Sequence, residues 1–255
     1  MISAGIDAGS RTIKVVVFDS DKQKVVGKGL VDQGVDHDGR ATQLFDAVLK
    51  EQGLRRADIS RIVATGYTRN GITLADTTVT EITCHAAGVR HQVPAARTVI
   101  EIGGQDSKLL WLGEDGGVRD FAMNDRCAAG TGRFLEVVAG RLETGLPALG
   151  ALACQSRNPA AISSMCVVFA ETEIIGLLSS GLPREDIAAG IQNAIASRIV
   201  AMAGRRITAP VILTGGVALV SGMARALSTA LNCEIQVAPD PQITGALGAA
   251  IIAAR

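Results

Sequence analysis

Gly5-Ile6-Asp7-Ala8-Gly9-Ser10 runs into Thr12-Ile13-Lys14-Val15-Val16-Val17-Phe18, and a second stretch, Ile100-Glu101-Ile102-Gly103-Gly104-Gln105-Asp106-Ser107 running into Lys108-Leu109-Leu110-Trp111-Leu112, repeats the design. Each is an apolar strand, a tight turn carrying glycine and an acid, then a second apolar strand. Glycine lets backbone N–H groups approach a phosphate, and nests of such donors hold anions. A carboxylate beside the turn can hold Mg2+ through its waters. Either turn alone is equally consistent with an ordinary hairpin, because Asp-x-Gly and Gly-Gly are common turn residues. Two copies in two halves of one chain, followed by a third glycine turn at Thr214-Gly215-Gly216, favour a nucleotide clamp.

The pattern around these turns is α/β. Residues 2–31 read as three strands. Helical spacing over 40–52 places Leu44, Phe45, Val48 and Leu49 on one face. A buried strand is expected over 59–65 and a helix over 81–91, stopped by Pro94. From Arg97 the strand–turn–strand–strand pattern restarts, which puts a domain boundary near residue 96. Helices are expected over 131–143, 165–180 and from Pro183 to about 206. A strand at Val211-Ile212-Leu213, a helix over 221–231 and a strand over 234–238 follow. Gly245-Ala246-Leu247-Gly248-Ala249-Ala250 opens the last helix, its small residues suited to close packing.

The 255 residues suffice for two modest lobes, and 47% are hydrophobic but only 3% aromatic. Lys+Arg and Asp+Glu both total 25, so bulk charge favours neither nucleic acid nor an anionic membrane. The longest apolar run is too short to span a bilayer, and no targeting segment is read, so the expected location is the cytoplasm. G-x-x-x-x-G-K-[ST] is absent, which excludes a P-loop, and no G-x-G-x-x-G follows a strand. The five cysteines, Cys84, Cys127, Cys154, Cys166 and Cys233, contain no C-x-x-C pair, and the expectation from residues alone is small buried hydrophobes.

Four stretches carry a family resemblance: Ala64-Thr65-Gly66-Tyr67, Ile102-Gly103-Gly104-Gln105-Asp106-Ser107-Lys108, Met123-Asn124-Asp125-Arg126-Cys127-Ala128-Ala129-Gly130-Thr131-Gly132-Arg133-Phe134-Leu135, and Phe169-Ala170-Glu171-Thr172-Glu173. They resemble the activators (component A) of 2-hydroxyacyl-CoA dehydratases and the ATPase subunits of benzoyl-CoA reductase, within the actin–hexokinase–Hsp70 ATPase superfamily. The resemblance covers essentially the whole chain. It implies two ribonuclease-H-like lobes with nucleotide in the cleft between them. The first lobe would be residues 1–96 completed by a helix over 243–255, and the second 97–242.

The resemblance also implies site residues. Asp7 would hold Mg2+ through water. Glu101, Gln105 and Asp106 complete the catalytic set, with Gln105 or Asp106 orienting the attacking water. Ser10, Arg11, Thr12, Ile13, Lys14, Gly103, Gly104, Gly130, Thr131, Gly132, Gly215, Gly216, Val217 and Gln242 would bind ATP or ADP. Two departures stand out: Arg11 occupies a position usually small and polar, and Glu101 replaces the usual Asp before Gly-Gly, which puts its metal role in doubt.

Cys127 and Cys166 match the family's cluster ligands. Two thiolates cannot complete a [4Fe-4S] cluster, which wants four. A twofold homodimer supplies the count from an isologous interface. Ser164 reads as the N-cap that places Cys166 in a helix's first turn, where thiolate is favoured, and Asp125 reads as a cap beside Cys127. The implied activity is ATP-dependent electron donation: reduced ferredoxin or flavodoxin loads one electron, ATP binding rotates the lobes, and the electron passes to a partner iron–sulfur dehydratase or reductase. The helix carrying Cys166, Glu171 and Glu173 would link cluster and nucleotide. The competing readings are a sugar or acyl kinase on the same fold, and a nucleotide-gated filament or chaperone-like module without iron. Cys84-His85 and His91 read as a packed helix with surface histidines rather than a metal site.

Overall fold

The computed structural model describes residues 1–163, 166–204 and 206–255. The chain forms two compact units, one of residues 1–96, 112–119 and 238–255, the other of 97–111 and 120–237.

In the first unit, β1 (Ile2–Ala8), β2 (Thr12–Asp19), β3 (Lys24–Asp32), β4 (Ile62–Thr65) and β5 (Thr77–Thr78) form one sheet in the order β3-β2-β1-β4-β5. β2 runs antiparallel to both neighbours, while β4 is parallel to β1 and β5 to β4. Strand alternation sorts the side chains by face. Ile13, Val15 and Val17 pack with Phe45, Val48 and Leu49 of α1 (His37–Glu51). Val16 and Phe18 pack instead with Ala246, Leu247 and Ala250 of the C-terminal helix, α8 (Thr244–Ala253). Between them these contacts bury both faces of β2, at about 1.5–3 kcal/mol for each large apolar side chain.

α2 (Glu81–Gln92) lies against α8. The small residues of α8 permit an approach that no side chain would tolerate. A Cβ on Gly248 would fall 1.7 Å from the Cys84 carbonyl oxygen. α1 starts at His37, earlier than the apolar spacing indicated, because Asp36 caps it and accepts from the Gly39 N–H at 2.9 Å.

The second unit repeats the plan. β6 (Thr98–Ile102), β7 (Ser107–Leu112), β8 (Val118–Asn124), β9 (Val211–Thr214) and β10 (Ile235–Val237) form a sheet ordered β10-β9-β6-β7-β8, the first sheet's order read from its other edge. β7 is antiparallel to β6, and β9 is parallel to it. The tip of the β7–β8 hairpin, residues 112–119, groups with the first unit.

Five helices complete the second unit: α3 (Gly132–Arg141), α4 (Leu146–Ala153), α5 (Val167–Ser179), α6 (Arg184–Ala203) and α7 (Met223–Leu231). Ile187, Ile191, Ile195 and Ile199 run down one stripe of α6 into the core beside Phe134, Leu135 and Val138 of α3. α6 stops at Ala203, short of residue 206, because Gly204 turns the chain with φ +57. Arg206 instead lies over the Trp111 ring, 4.2 Å from its centroid.

The fold is mixed α/β with two five-stranded sheets of matching order. Among the described residues no helix is long and apolar enough to cross a membrane.

Candidate nucleotide and cluster sites

Asp7 is the next-to-last residue of β1, opposite Lys14 on β2 and beside Thr65 on β4. Its carboxylate is buried, with Lys14 Nζ 3.2 Å from Oδ2. The turn is closed by the Gly9 N–H donating to the Thr12 carbonyl at 3.1 Å. Bare backbone crowds the acid from two more sides. A Cβ on Gly66, where φ is +97, would lie 2.6 Å from Oδ1, and one on Gly245 would lie 3.0 Å from Oδ2. Ser10 and Thr12 are half-buried at the turn and Arg11 is exposed, its carbonyl accepting from the Gln33 N–H at 3.0 Å. The Ile13 side chain belongs to the core, so only its backbone can serve a ligand. Gln242 is half-buried in the 3₁₀ turn Pro241–Ile243 that leads into α8.

Behind Asp7, the pair Cys84-His85 is packed. Cys84 is buried with Val63 and Ala249, and burial pushes its thiol up to about 12. His85 Nδ1 sits 2.9 Å from the Thr244 hydroxyl, also buried. His91 is half-buried, edge-on to Phe18 at 5.2 Å.

The second turn is the counterpart. Glu101 on β6 faces Lys108 on β7 and neighbours Thr214 on β9. Lys108 Nζ donates to Glu101 Oε2 at 2.9 Å and also to Asp106 Oδ2. Gly215, with φ +88, stands to Glu101 as Gly66 stands to Asp7, its Cβ position 2.7 Å from Oε1. The Gly103 N–H donates to the Asp106 carbonyl at 3.0 Å, leaving Gln105 exposed at the tip. α3 begins on this turn: the Gly132 N–H donates to Gly103 at 2.9 Å and the Arg133 N–H to Gly104 at 2.8 Å. Two N–H groups at the helix start are thereby engaged with protein. Thr131 caps α3, and Gly130 ends a 3₁₀ turn packed against Asn124 and Arg198. Gly216 is exposed and Val217 buried at the start of another 3₁₀ turn.

Residue reasoning missed the buried role of Lys108. A signal was present, since the acid-to-lysine interval is the same in Asp7 to Lys14 and Glu101 to Lys108.

The cysteines do not share one environment. Cys84 is buried and Cys233 half-buried, but Cys127, Cys154 and Cys166 are exposed, contrary to the expectation of packed thiols. Cys166 is the N-cap of α5, one step before its first turn. The expected cap, Ser164, lies outside the described residues, as does Met165. Cys127 is the N-cap of the 3₁₀ turn Ala128–Gly130. Asp125 does not cap it. Asn124 does the local work, accepting from the Cys127 N–H at 3.1 Å and donating to its carbonyl at 2.7 Å. Cys154 instead is the C-cap of α4.

Asp7 fits a hydrated Mg2+, as a hard oxygen donor bordered by glycine backbone. Cys127 and Cys166 fit soft-metal ligation by their thiols and exposure. Among the described residues no three His, Cys, Asp or Glu side chains form a metal-binding group.

Two mirrored acid turns on two mixed sheets of matching order belong to the actin-like fold shared with activator ATPases and ROK hexokinases. The chain belongs to the BadF/BadG/BcrA/BcrD ATPase family, whose profile matches residues 4–253. It is 46% identical over 254 residues to an activator of lactoyl-CoA dehydratase from Anaerotignum propionicum, covering 99% of this chain and 97% of that protein. Two solved structures are similar over 99% of this chain. One is an activator of 2-hydroxyisocaproyl-CoA dehydratase from Clostridium difficile with bound ADPNP (TM-score 0.93, 41% identity, 94% of that chain). The other is component A of the (R)-2-hydroxyglutaryl-CoA dehydratase of Acidaminococcus fermentans (0.94, 42%, 97%). A ROK hexokinase from Thermus thermophilus, at 17% identity and TM-score 0.53, shares the fold alone.

Proposed function

We propose that this protein is an ATP-dependent electron donor. Two copies would hold one [4Fe-4S] cluster through Cys127 and Cys166 of each, and pass single electrons to a partner iron–sulfur enzyme, a 2-hydroxyacyl-CoA dehydratase or related reductase. When bound, the cluster supplies a one-electron relay, loaded by reduced ferredoxin or flavodoxin. In this reading both turns serve one nucleotide. Asp7 orders the hydrated Mg2+, Lys14, Ser10 and Thr12 meet phosphate oxygens, and Gln105 or Asp106 orients the water that converts ATP to ADP and phosphate.

The observation that carries the reading is a path inside the second unit from the acid turn to a cysteine. α3 starts on Gly103 and Gly104 through its first N–H groups and ends at Arg141, whose guanidinium pairs with Glu171 of α5. Cys166 is the N-cap of α5. Glu173 of the same helix accepts from both the N–H and the hydroxyl of Ser163 at 2.8 Å, tethering the segment that leads to that cysteine. A shift of the second turn on nucleotide exchange would move α3, and through Arg141 the helix that presents Cys166. ATP drives transfer only through different affinity for two such arrangements.

The same residues serve an ATPase subunit of a benzoyl-CoA reductase or a reductase of a double-cubane cluster protein, and genomic neighbours discriminate these. Anaerobically purified protein should be brown and bleach in air. A colourless protein whose ATP turnover is stimulated by a sugar would sink the reading in favour of a kinase.

A further inference from the structure

The second acid turn already contains a cation. Lys108 is 2% exposed, and its ammonium is gripped by Glu101 Oε2 at 2.9 Å and by Asp106 Oδ2, one acid from each side of the Gly103-Gly104 turn. We propose that Lys108 stands in for a divalent ion at this turn, so that Glu101 and Asp106 recruit no metal and the metal of the nucleotide complex depends on Asp7 alone. This rests on reading the two turns as the nucleotide site.

Glu101 is 5% exposed and its Oε1 borders Gly103 and Gly215, where an added Cβ would fall 3.2 and 2.7 Å away. Asp106 Oδ1 borders Gly103, where an added Cβ would fall 2.6 Å away, and the Asp106 side chain stays 25% exposed. Mg2+ demands six ligands in near-octahedral array and keeps several waters. An ammonium has only three N–H groups to place, and Lys108 gives two of them to these acids. The ammonium of the first turn is less buried. Lys14 is 16% exposed and 3.2 Å from Asp7, so it can swing toward solvent when a hydrated ion arrives. Lys108 cannot leave without stranding the buried Glu101 and taking a partner from the partly exposed Asp106. Asp106, and with it the exposed Gln105 beside it, is therefore held in place whether or not metal is present.

Mn2+ bound to the full chain in the presence of ADP, counted by EPR of the free ion, tests the proposal. The wild-type chain should bind one Mn2+, and Asp7→Asn should lose it. Glu101→Gln leaves the Lys108–Asp106 pair and should keep that ion with an affinity within about threefold of wild type, well under 1 kcal/mol. Lys108→Gln should gain a second, nucleotide-independent Mn2+, and Lys108→Arg should not. Weakening of Mn2+ binding by tenfold or more in Glu101→Gln would overturn the proposal, because Glu101 would then be a metal ligand. So would a Lys108→Gln chain with a wild-type circular dichroism spectrum and no added Mn2+. If Lys108→Gln fails to fold, the Glu101→Gln result decides. A wild-type chain that binds no Mn2+ with ADP is a separate result, which removes the nucleotide-site reading and the proposal with it.

Discussion

Glu101 and Lys108 face one another across β6 and β7 with an ion pair of 2.9 Å, in the register that Asp7 and Lys14 hold across β1 and β2 at 3.2 Å. The two turns are one device built twice, with the lysine buried at the second and partly exposed at the first. Their energetics should differ accordingly. Lys108→Met leaves the buried Glu101 uncompensated and takes a partner from Asp106, and should cost about 3–5 kcal/mol. Lys14→Met, at a pair that water reaches, should cost about 1–2 kcal/mol. Urea denaturation of both variants checks the order, and equal losses would show that the two pairs are equivalent.

Gly66 and Gly215 are the second shared element. Both have positive φ and both press backbone against the acid of their own turn. Gly66→Ala should destabilise by at least about 1–2 kcal/mol from backbone strain alone. It should also weaken Mg2+-dependent ADP binding more than metal-free binding, since the new methyl would meet Asp7. Gly215→Ala should disturb Glu101 and leave the metal dependence in place. Calorimetry with and without Mg2+ separates the two.

Thiol labelling should sort the cysteines by environment. Burial raises the Cys84 thiol to about 12, so it stays neutral at pH 8 and through pH 9.5 and should resist iodoacetamide in the folded chain. Cys127, Cys154 and Cys166 are exposed and should label in iron-free protein. Rebuilding the cluster should then protect Cys127 and Cys166 but not Cys154. Mass spectrometry of the labelled peptides reads all of these at once.

The Arg141–Glu171 pair is exposed enough to contribute little to stability, under about 1 kcal/mol. Arg141→Ala should therefore fold normally, bind ADP and retain iron, yet lower ATP-dependent electron transfer. Unchanged transfer would mean that α3 does not couple turn to cysteine.

Much of this architecture was legible in the chain. Runs such as Val15-Val16-Val17 between turn residues announce strands, and the restart after Arg97 announces a second sheet. What escaped had physical reasons. α4, Leu-Pro-Ala-Leu-Gly-Ala-Leu-Ala over Leu146–Ala153, is short, lacks polar periodicity and has no side-chain cap. β5 is only Thr77–Thr78, held in place by β4. Cys166 falls at the N-cap itself because α5 starts only at Val167, a boundary that apolar spacing cannot place to one residue. The burial of Lys108 was not legible because nothing local shows that Glu101 and Asp106 converge on it. Only the strand register does.

Iron per chain in anaerobically purified protein tests the central claim most directly. About four irons per two chains are expected, in a species that sizes as a dimer. Cys127→Ser and Cys166→Ser should each lose the iron while still binding ADP. Full iron content in either variant, or a wild-type protein without iron after cluster reconstitution, would contradict the account.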